Sequence, residues 1–323
     1  MSHFHQDIPT TRYLALAAAP KHLRESLSIH VTEHAFLPNV DEILGDWVAT
    51  IATPAFKLIR QRQGAQNAFC SIGTGVGLDA LAAIEILDAT QIGITDVHED
   101  VVAAAVDNIR RNLREPRRIE LAAGHGDLLE PLDARHPRYD LIYENLPNIP
   151  IADAGEIATA RKSSGHIPAR QETIPELMRR NLLSLHYVAL LKAKEFLKPG
   201  GAVLSLIGGR IPLDLFHEMG RLTGYHAEIF TYGWKIQTDP EEIIGGHIQQ
   251  QEAGFGPYHF YRANRLAEVF SGIGLQDSGQ RAREIEQSLA PDALSPAAAL
   301  AAWQQGETIG HTVVALRSTL TEP

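Results

Sequence analysis

Hydrophobic and polar residues change their period along this chain, and the changes mark the predicted elements. Short apolar runs predict buried strands, whereas apolar residues three and four apart predict helices. Strands and helices alternate from the first strand onward, which is typical of an α/β fold with a doubly wound, Rossmann-like sheet. The seven strands of that sheet are predicted at 69–72, 90–96, 118–121, 139–143, 202–207, 225–236 and 311–316.

Two segments add to this minimal sheet. Apolar residues at helical spacing from Lys21 to about Gln63 predict a helical N-terminal extension, interrupted at Pro38 and Pro54. The stretch between the last two strands is too long for a plain loop and predicts helices at 261–270 and 282–289.

The pattern therefore predicts three parts. They are a helical N-terminal cap at 1–63, a core at 64–238 and 309–323, and an inserted lid at 239–308. Because insertions of this kind commonly form lids or dimer contacts, a homodimer is one expectation. The segment 151–174, with many small and polar residues, fits no element of the sheet.

Three glycines follow the first core strand at alternate positions, Gly73, Gly75 and Gly77, and a helical pattern begins directly after them. Without a Cβ the chain can turn tightly and let a ligand approach its peptide groups. A dinucleotide site has the pattern G-x-G-x-x-G, whereas here the third glycine comes one residue early. An ordinary strand-to-helix turn can carry the same glycines, so the motif needs support from other strand ends.

Polar residues at the following strand ends give that support. Asp96 ends the second strand, where a carboxylate can accept two ribose hydroxyls, although it or Asp100 can also cap the next helix. Gly126-Asp127-Leu128 follows the third strand and Glu144-Asn145 the fourth, and Lys198-Pro199-Gly200-Gly201 precedes the fifth.

Together, from about Gln66 through Tyr232, these features resemble the class I S-adenosylmethionine-dependent methyltransferases. The resemblance implies S-adenosylmethionine as the cofactor. It implies that the three glycines line the aminobutyrate and ribose and that Asp96, followed by Val97, holds the ribose. It also implies that Asp127 accepts the adenine amino group, with the N–H of Leu128 on a ring nitrogen.

The chain departs from the family at Ser71, because the family usually has an acidic residue two places before the first glycine. The methionine amino group is therefore expected to be held from elsewhere, with Asn145 as the nearest candidate.

The Asn145-Leu146-Pro147-Asn148 segment bears on the substrate. Methyltransferases acting on planar amines carry Asn-Pro-Pro-Tyr here, and this chain lacks the aromatic residue that stacks on a flat base or amide. The variant is similar to that of plant methionine S-methyltransferases, as is the stretch 245–260, which implies a small amino-acid-like substrate. Asn145 would orient the nucleophile, and Glu144 or a histidine would take its proton.

Aromatic rings can surround a sulfonium, and Tyr143, Tyr187 and Trp234 are candidates for this role, although core packing is the more common role of each such side chain. Four histidines near the expected pocket are candidate acid/base groups: His166, His186, His247 and His259. His30 and His34 would share a helix face, but the sequence places no third ligand beside them, so no metal is expected.

Two other functions remain open. The sulfonium of S-adenosylmethionine can also be attacked by its own amine, giving azetidine-2-carboxylate and methylthioadenosine. Known azetidine-2-carboxylate synthases have this fold, and Ser71 with the altered Asn145 segment is compatible with such chemistry. A non-catalytic cofactor-binding scaffold is the other reading.

Composition narrows partners and location. There are 29 Lys and Arg against 39 Asp and Glu, a formal net charge of -10, which argues against a nucleic-acid partner despite the pairs Arg110-Arg111, Arg117-Arg118 and Arg179-Arg180. The single cysteine, Cys70, excludes an intrachain disulfide and falls in a predicted core strand. With neither a signal peptide nor a membrane-spanning run, we expect a soluble cytoplasmic protein.

Overall fold

The computed structural model describes residues 4–114, 119–133, 138–148 and 172–321. Predictions for Arg117, Arg118 and His166, and for nearly all of 151–174, lie outside the described residues. Ten strands are described, and they are β1 Phe4–Pro9, β2 Ser26–Val31, β3 Ala68–Ile72, β4 Gln91–Asp96, β5 Glu120–His125, β6 Tyr139–Glu144, β7 Leu197–Gly208, β8 Tyr225–Ile236, β9 Tyr261–Arg262 and β10 Ile309–Leu320.

The central sheet has the strand order β5-β4-β3-β6-β7-β10-β8. Strand β3 pairs in parallel with both β4 and β6, and β4 pairs in parallel with β5, whereas β10 is antiparallel to β8. The order reverses beside β3, as in doubly wound sheets. The predicted seven-stranded, Rossmann-like α/β fold is confirmed. An eighth strand, β9, pairs with β10 and is too short, at two residues, for a sequence pattern to reveal.

Helices separate most of the strands. Those described are α1 Thr10–Tyr13, α2 Thr53–Gln63, α3 Leu78–Ile86, α4 Glu99–Asn112, α5 Glu176–Arg180, α6 Ser184–Ala193, α7 Asp214–Thr223, α8 Pro240–Glu252, α9 Ala263–Phe270, α10 Leu275–Ser278, α11 Ala282–Leu289 and α12 Pro296–Gln304. Helix α3 is buried on every face, because most of its residues are Leu, Ala or Ile. No helix in the described ranges is long and apolar enough to cross a membrane.

The N-terminal segment differs from its prediction. Strands β1 and β2 form an antiparallel hairpin, and β2 lies inside the stretch predicted to be helical from Lys21. Polar and apolar residues alternate in Ser26–Val31, with Leu27, Ile29 and Val31 buried, which is the period of a strand. Helical structure begins later, with the 3-10 turn Ile43–Gly45, the π-helical turn Val48–Ala52 and α2.

Two buried asparagines of α4 fasten this hairpin. Asn108 accepts a hydrogen bond from the N–H of His30 at 2.9 Å and donates to its carbonyl at 2.8 Å. Asn112 makes the same pair of bonds with Ser28, at 2.8 and 3.0 Å. Asn108 also donates to the carbonyl of Val76 at 3.0 Å, which ties the hairpin to the glycine turn.

The observed bounds of some strands and helices differ from the predicted ones, because packing extends or shortens the element. Strand β5 starts at Glu120 and continues to His125, beyond the predicted 118–121. The Lys198-to-Gly201 segment, predicted as a turn before the fifth strand, lies within β7. A Cβ at Gly201 would lie 2.8 Å from the carbonyl oxygen of Tyr139, so glycine lets these backbones approach. Helix α6 is shorter than the predicted 182–197.

The chain divides into two compact units. The first contains the described residues up to Asn145 together with Ala189–Leu204. The second contains the described residues from 146 to 188 and from 205 onward. The division into cap, core and lid stays a prediction.

Candidate functional site

The glycine turn lies in the first unit, directly after the fully buried strand β3. Gly73, Gly75 and Gly77 have φ angles of +67°, +51° and +84°, the left-handed region that favours glycine. A Cβ at Gly77 would lie 3.3 Å from the Cβ of Ala105, whereas one at Gly75 would meet no atom within 4 Å. The backbone at Gly75 therefore borders open space, as a ligand-binding turn requires.

Asp96 lies beside this turn at the end of β4. One carboxylate oxygen accepts from the N–H of Gly75 at 3.2 Å and the other from the N–H of His98 at 3.2 Å. Burial raises the pKa of Asp96, and these hydrogen bonds oppose the rise. A carboxylate has about four acceptor positions, so Asp96 keeps capacity for a ligand hydroxyl. The N-cap of α4 is His98 with no side-chain cap, so neither Asp96 nor Asp100 has the capping role.

Asp127 and Leu128 follow the neighbouring strand β5. The N–H of Gly126 donates to the carbonyl of Asp96 at 2.8 Å, which places the two strand ends side by side. The Nζ of Lys192 lies 3.6 Å from the carboxylate of Asp127. Leu128 is buried with a φ of +50°. Nothing in the sequence marked Lys192, because it comes from a helix far along the chain.

Asp79, in the first turn of α3, lies beside Ser71, the position where an acidic residue was expected from the resemblance. The hydroxyl of Ser71 donates to one carboxylate oxygen of Asp79, and the hydroxyl of Thr74 lies 3.3 Å from the other. The N–H of Ala80 also donates to the carboxylate, at 2.8 Å. Burial raises the pKa of Asp79 to about 6, against these hydrogen bonds. Sequence reasoning missed Asp79, because acidic residues are common in the first turn of any helix.

Acidic and tyrosine side chains collect behind the glycine turn. Tyr13 donates a hydrogen bond to Asp46 at 2.8 Å. The ring of Tyr143 packs against Phe56 at 5.3 Å between centroids. Burial raises the pKa of Tyr143, and the charges of Asp79, Glu144 and Asp46 raise it further. Three carboxylates of the first unit therefore lie near enough to Tyr143 to act on its hydroxyl.

The remaining catalytic candidates have separate places. Glu144 is the last residue of β6, fully buried and paired with Ile72. Asn145 follows it and is half-buried. Val97 lies between Asp96 and His98 at the end of β4. Tyr187 is buried in α6, in the part of that helix that belongs to the second unit.

No family model matches the chain, and no curated protein matches it. Solved structures do resemble it. The YcgJ protein from Bacillus subtilis is 13% identical over 83% of this chain and 99% of its own, with a TM-score of 0.43. A SAM dependent methyltransferase from Agrobacterium tumefaciens is 13% identical over 68% of this chain and 63% of its own, with a TM-score of 0.41.

A third structure, the ribosomal protein L11 methylase from Lactobacillus delbrueckii subsp. bulgaricus, is 16% identical over 58% of this chain and 70% of its own, with a TM-score of 0.35. With TM-scores this low, the fold rests on the strand order of the chain itself. That order is Rossmann-like, as the resemblance to class I methyltransferases predicted.

The histidines are arranged differently from their prediction. His30 lies in β2 and stacks on His5, with ring centroids 5.1 Å apart, so it shares no helix face with His34. His34 instead stacks on His98 at 4.6 Å, and its Nδ1 lies 3.0 Å from Asp100. The donor atoms of His34, His98 and Asp100 lie within 4.8 Å of one another. Two of these three groups, His98 and Asp100, come from the start of α4, and His30 is not among them. The expectation of no metal stays a prediction.

Proposed function

We propose that this chain is an S-adenosylmethionine-dependent methyltransferase that acts on a small amino-acid-like nucleophile. The observation that carries the proposal is the row of polar groups at three adjacent strand ends. The glycine turn follows β3, Asp96 ends β4 and Asp127 follows β5, which are neighbours in the order β5-β4-β3. Ligands of open parallel sheets bind at the carboxyl ends of the strands.

Two features of these residues support S-adenosylmethionine as the ligand, the open space at the glycine turn and the carboxylates beside it. The open space at Gly75 admits a ligand against the backbone. Asp96 would accept the ribose hydroxyls, and Asp127 with the N–H of Leu128 would hold the adenine. The buried carboxylate of Asp79 would hold the amino group, a role that sequence reasoning assigned to Asn145.

When bound, S-adenosylmethionine supplies a carbon attached to a positively charged sulfur. The chain's own contribution is mainly positioning, because a correctly held nucleophile reacts far faster than a free one. The amide of Asn145 would orient the nucleophile through its carbonyl oxygen. Glu144, which directly precedes it, would take the proton.

Asn148 supports the proposed kind of substrate. This residue stands where planar-amine methyltransferases have an aromatic ring, and its amide donates to the carbonyl of Gly208 at 2.8 Å. It is buried and offers no stacking surface, which supports a small, non-planar substrate. The formal net charge of -10 likewise supports a small molecule rather than a nucleic acid.

Ring closure of the cofactor is the second enzymatic candidate. The sequence features compatible with it were the missing acidic residue at Ser71 and the altered Asn145 segment. The hydrogen bond from Ser71 to Asp79 brings a carboxylate to the first of these positions. This contact favours methyl transfer over ring closure, and the product assay below distinguishes the two reactions.

The test identifies the nucleoside product by mass. The protein is incubated with S-adenosylmethionine alone and with a mixture of amino acids, beside an Asp96→Ala control that reports contaminating activity. S-adenosylhomocysteine formed only with amino acids supports the proposal. Methylthioadenosine formed without an acceptor assigns the cyclase, and no consumption in either mixture contradicts both enzymatic functions.

A further inference from the structure

Arg210 lies just beyond the end of β7, in the second unit, and only 3% of its surface is exposed. Arginine is almost never fully buried without a charged partner. Its guanidinium carries five N–H donors. Nη2 donates to the side-chain oxygen of Gln237 at 2.7 Å, whereas Nε and Nη1 are buried without a hydrogen-bond partner among the described residues.

Neutral groups hold the guanidinium in place. The ring of Phe260 lies 5.5 Å from its Cζ. On the strand side, a Cβ at Gly208 would lie 2.3 Å from Nη1, so the backbone of β7 approaches as closely as glycine allows. The same point lies 3.1 Å from the side-chain oxygen of Asn148. The side chain is thus positioned by packing rather than by an ion pair with a described residue.

The electrostatic surroundings are positive. Burial and, after it, the charge of Arg210 lower the pKa of His247 to about 3. Burial, followed by the charges of Arg210 and Lys235, also lowers the pKa of His311. The pKa of Arg210 itself falls to about 9, with burial as the cause. No described carboxylate forms an ion pair with Arg210, so the charge of the guanidinium is not balanced, and His247 is neutral near pH 7.

An ion buried without its partner destabilises a fold strongly. Such an arrangement is understandable when a ligand completes the pair, because the ligand then binds through charge-assisted hydrogen bonds in a region that excludes water. A carboxylate, with one charge and two oxygens, matches a single guanidinium beside neutral histidines better than a phosphate dianion does.

We propose that Arg210 anchors a site in the second unit for the carboxylate of a small molecule of the amino-acid class. The amino-acid identity of the ligand rests on the proposed function, whereas the anion site rests only on Arg210 and its neighbours. The tests below omit S-adenosylmethionine, so failure of methyl transfer and failure of this site are distinguishable.

The first measurement is the melting temperature of the ligand-free protein and of Arg210→Met. Replacing an unpaired buried cation with an apolar side chain of similar length is expected to leave the melting temperature unchanged or raise it. The control is Arg221→Met, whose exposed guanidinium pairs with Glu218 at 2.6 Å and should have little effect. A fall of more than about 4 °C in Arg210→Met alone, larger than loss of the Gln237 hydrogen bond explains, would show that the guanidinium already has an anionic partner, which overturns the proposal.

The second measurement holds even if Arg210→Met is poorly folded. Amino acids, their amides and inorganic phosphate are screened one by one for their effect on the melting temperature. At least one amino acid should raise it by about 2 °C or more in the parent and in Arg221→Met, while its amide should not. Arg210→Lys, which keeps the charge, should retain only part of the shift. No shift from any amino acid, an equal shift from the amide, an undiminished shift in Arg210→Lys, or a response to phosphate alone would overturn the carboxylate assignment.

Discussion

Asp79 is the carboxylate of the candidate site whose protonation changes closest to neutral pH. It is buried, and burial raises its pKa to about 6 despite hydrogen bonds from Ser71, Ala80 and Thr74. A cation bound beside it favours the ionised form and lowers that pKa. In the ligand-free protein the ionised carboxylate of Asp79 therefore lowers the stability of the fold, and a positively charged ligand would reduce this loss.

Asp79→Asn tests this cost. Because the folded pKa exceeds the usual Asp value of 3.8, the stability associated with Asp79 is full below pH 3.8 and is lost as pH rises through 6. Near neutral pH the variant should be more stable than the parent by up to about 3 kcal/mol, since one pKa unit is about 1.4 kcal/mol. The difference should vanish near pH 4. Urea unfolding at pH 7 and pH 4 measures this difference in the free energy of unfolding. A parent more stable than Asp79→Asn at pH 7 would contradict the raised pKa of Asp79.

Asn145→Ala is expected to affect turnover more than cofactor affinity. Its amide would hold the nucleophile in line, an interaction completed near the transition state, so kcat should fall at least tenfold, about 1.4 kcal/mol. Steady-state kinetics and cofactor titration separate the two effects. Parent-like kcat in a folded variant would remove Asn145 from the mechanism, and a lowered melting temperature with parent-like kcat would assign it to the turn before Pro147.

Sequence located the candidate site residues that follow strands, but not the side chains that packing brings beside them. Gly75, Asp96 and Asp127 were predictable, because strand ends of a parallel sheet meet at one edge. Asp79 and Lys192 were not, since each reaches the site from a helix and its partner depends on how that helix packs. The unpaired guanidinium of Arg210 was also invisible, because only burial distinguishes it from a surface arginine.

At the scale of elements, substitutions in the glycine turn can separate two effects, strain of the backbone and loss of the space that a ligand would occupy. Gly75 and Gly272 both have a positive φ, +51° and +75°, and a Cβ at either meets no atom within 4 Å. Alanine at each should therefore cost a similar amount, about 1 to 2 kcal/mol, from backbone strain alone. Only Gly75→Ala should weaken S-adenosylmethionine binding, by tenfold or more, because its methyl group enters the space of the ligand. Unfolding and calorimetry measure the two quantities, and equal cofactor affinities would place the ligand elsewhere.

The N-terminal hairpin shows why one element was missed. Apolar residues from Lys21 onward satisfy helical spacing when counted over a long window, yet Ser26–Val31 alternates with period two. The hairpin also depends on Asn108 and Asn112, whose amides bond to the backbone of β2 from another element. Such side-chain partners have no local signature, whereas α11, with its own amphipathic pattern, matches the predicted 282–289.

For the whole molecule, the alternation of strands and helices in the sequence was enough to predict a doubly wound sheet. The last strand, β10, lies between β7 and β8 and runs antiparallel to β8, which composition alone does not indicate. The two compact units also cut across the predicted parts, because β7 contributes to both. The acidic balance of the chain bears on its partners rather than on its fold.

Calorimetric titration with S-adenosylmethionine tests the central claim, that the strand ends of β3, β4 and β5 hold this cofactor. The parent is compared with Asp96→Ala and with Asp107→Ala, an exposed acidic control on α4. The parent and the control should bind one equivalent with equal affinity. Asp96→Ala should lose about 1.5 to 3 kcal/mol, the range for a hydrogen bond to a charged group. Absence of binding to the parent, or equal affinity in all three proteins, would contradict the account.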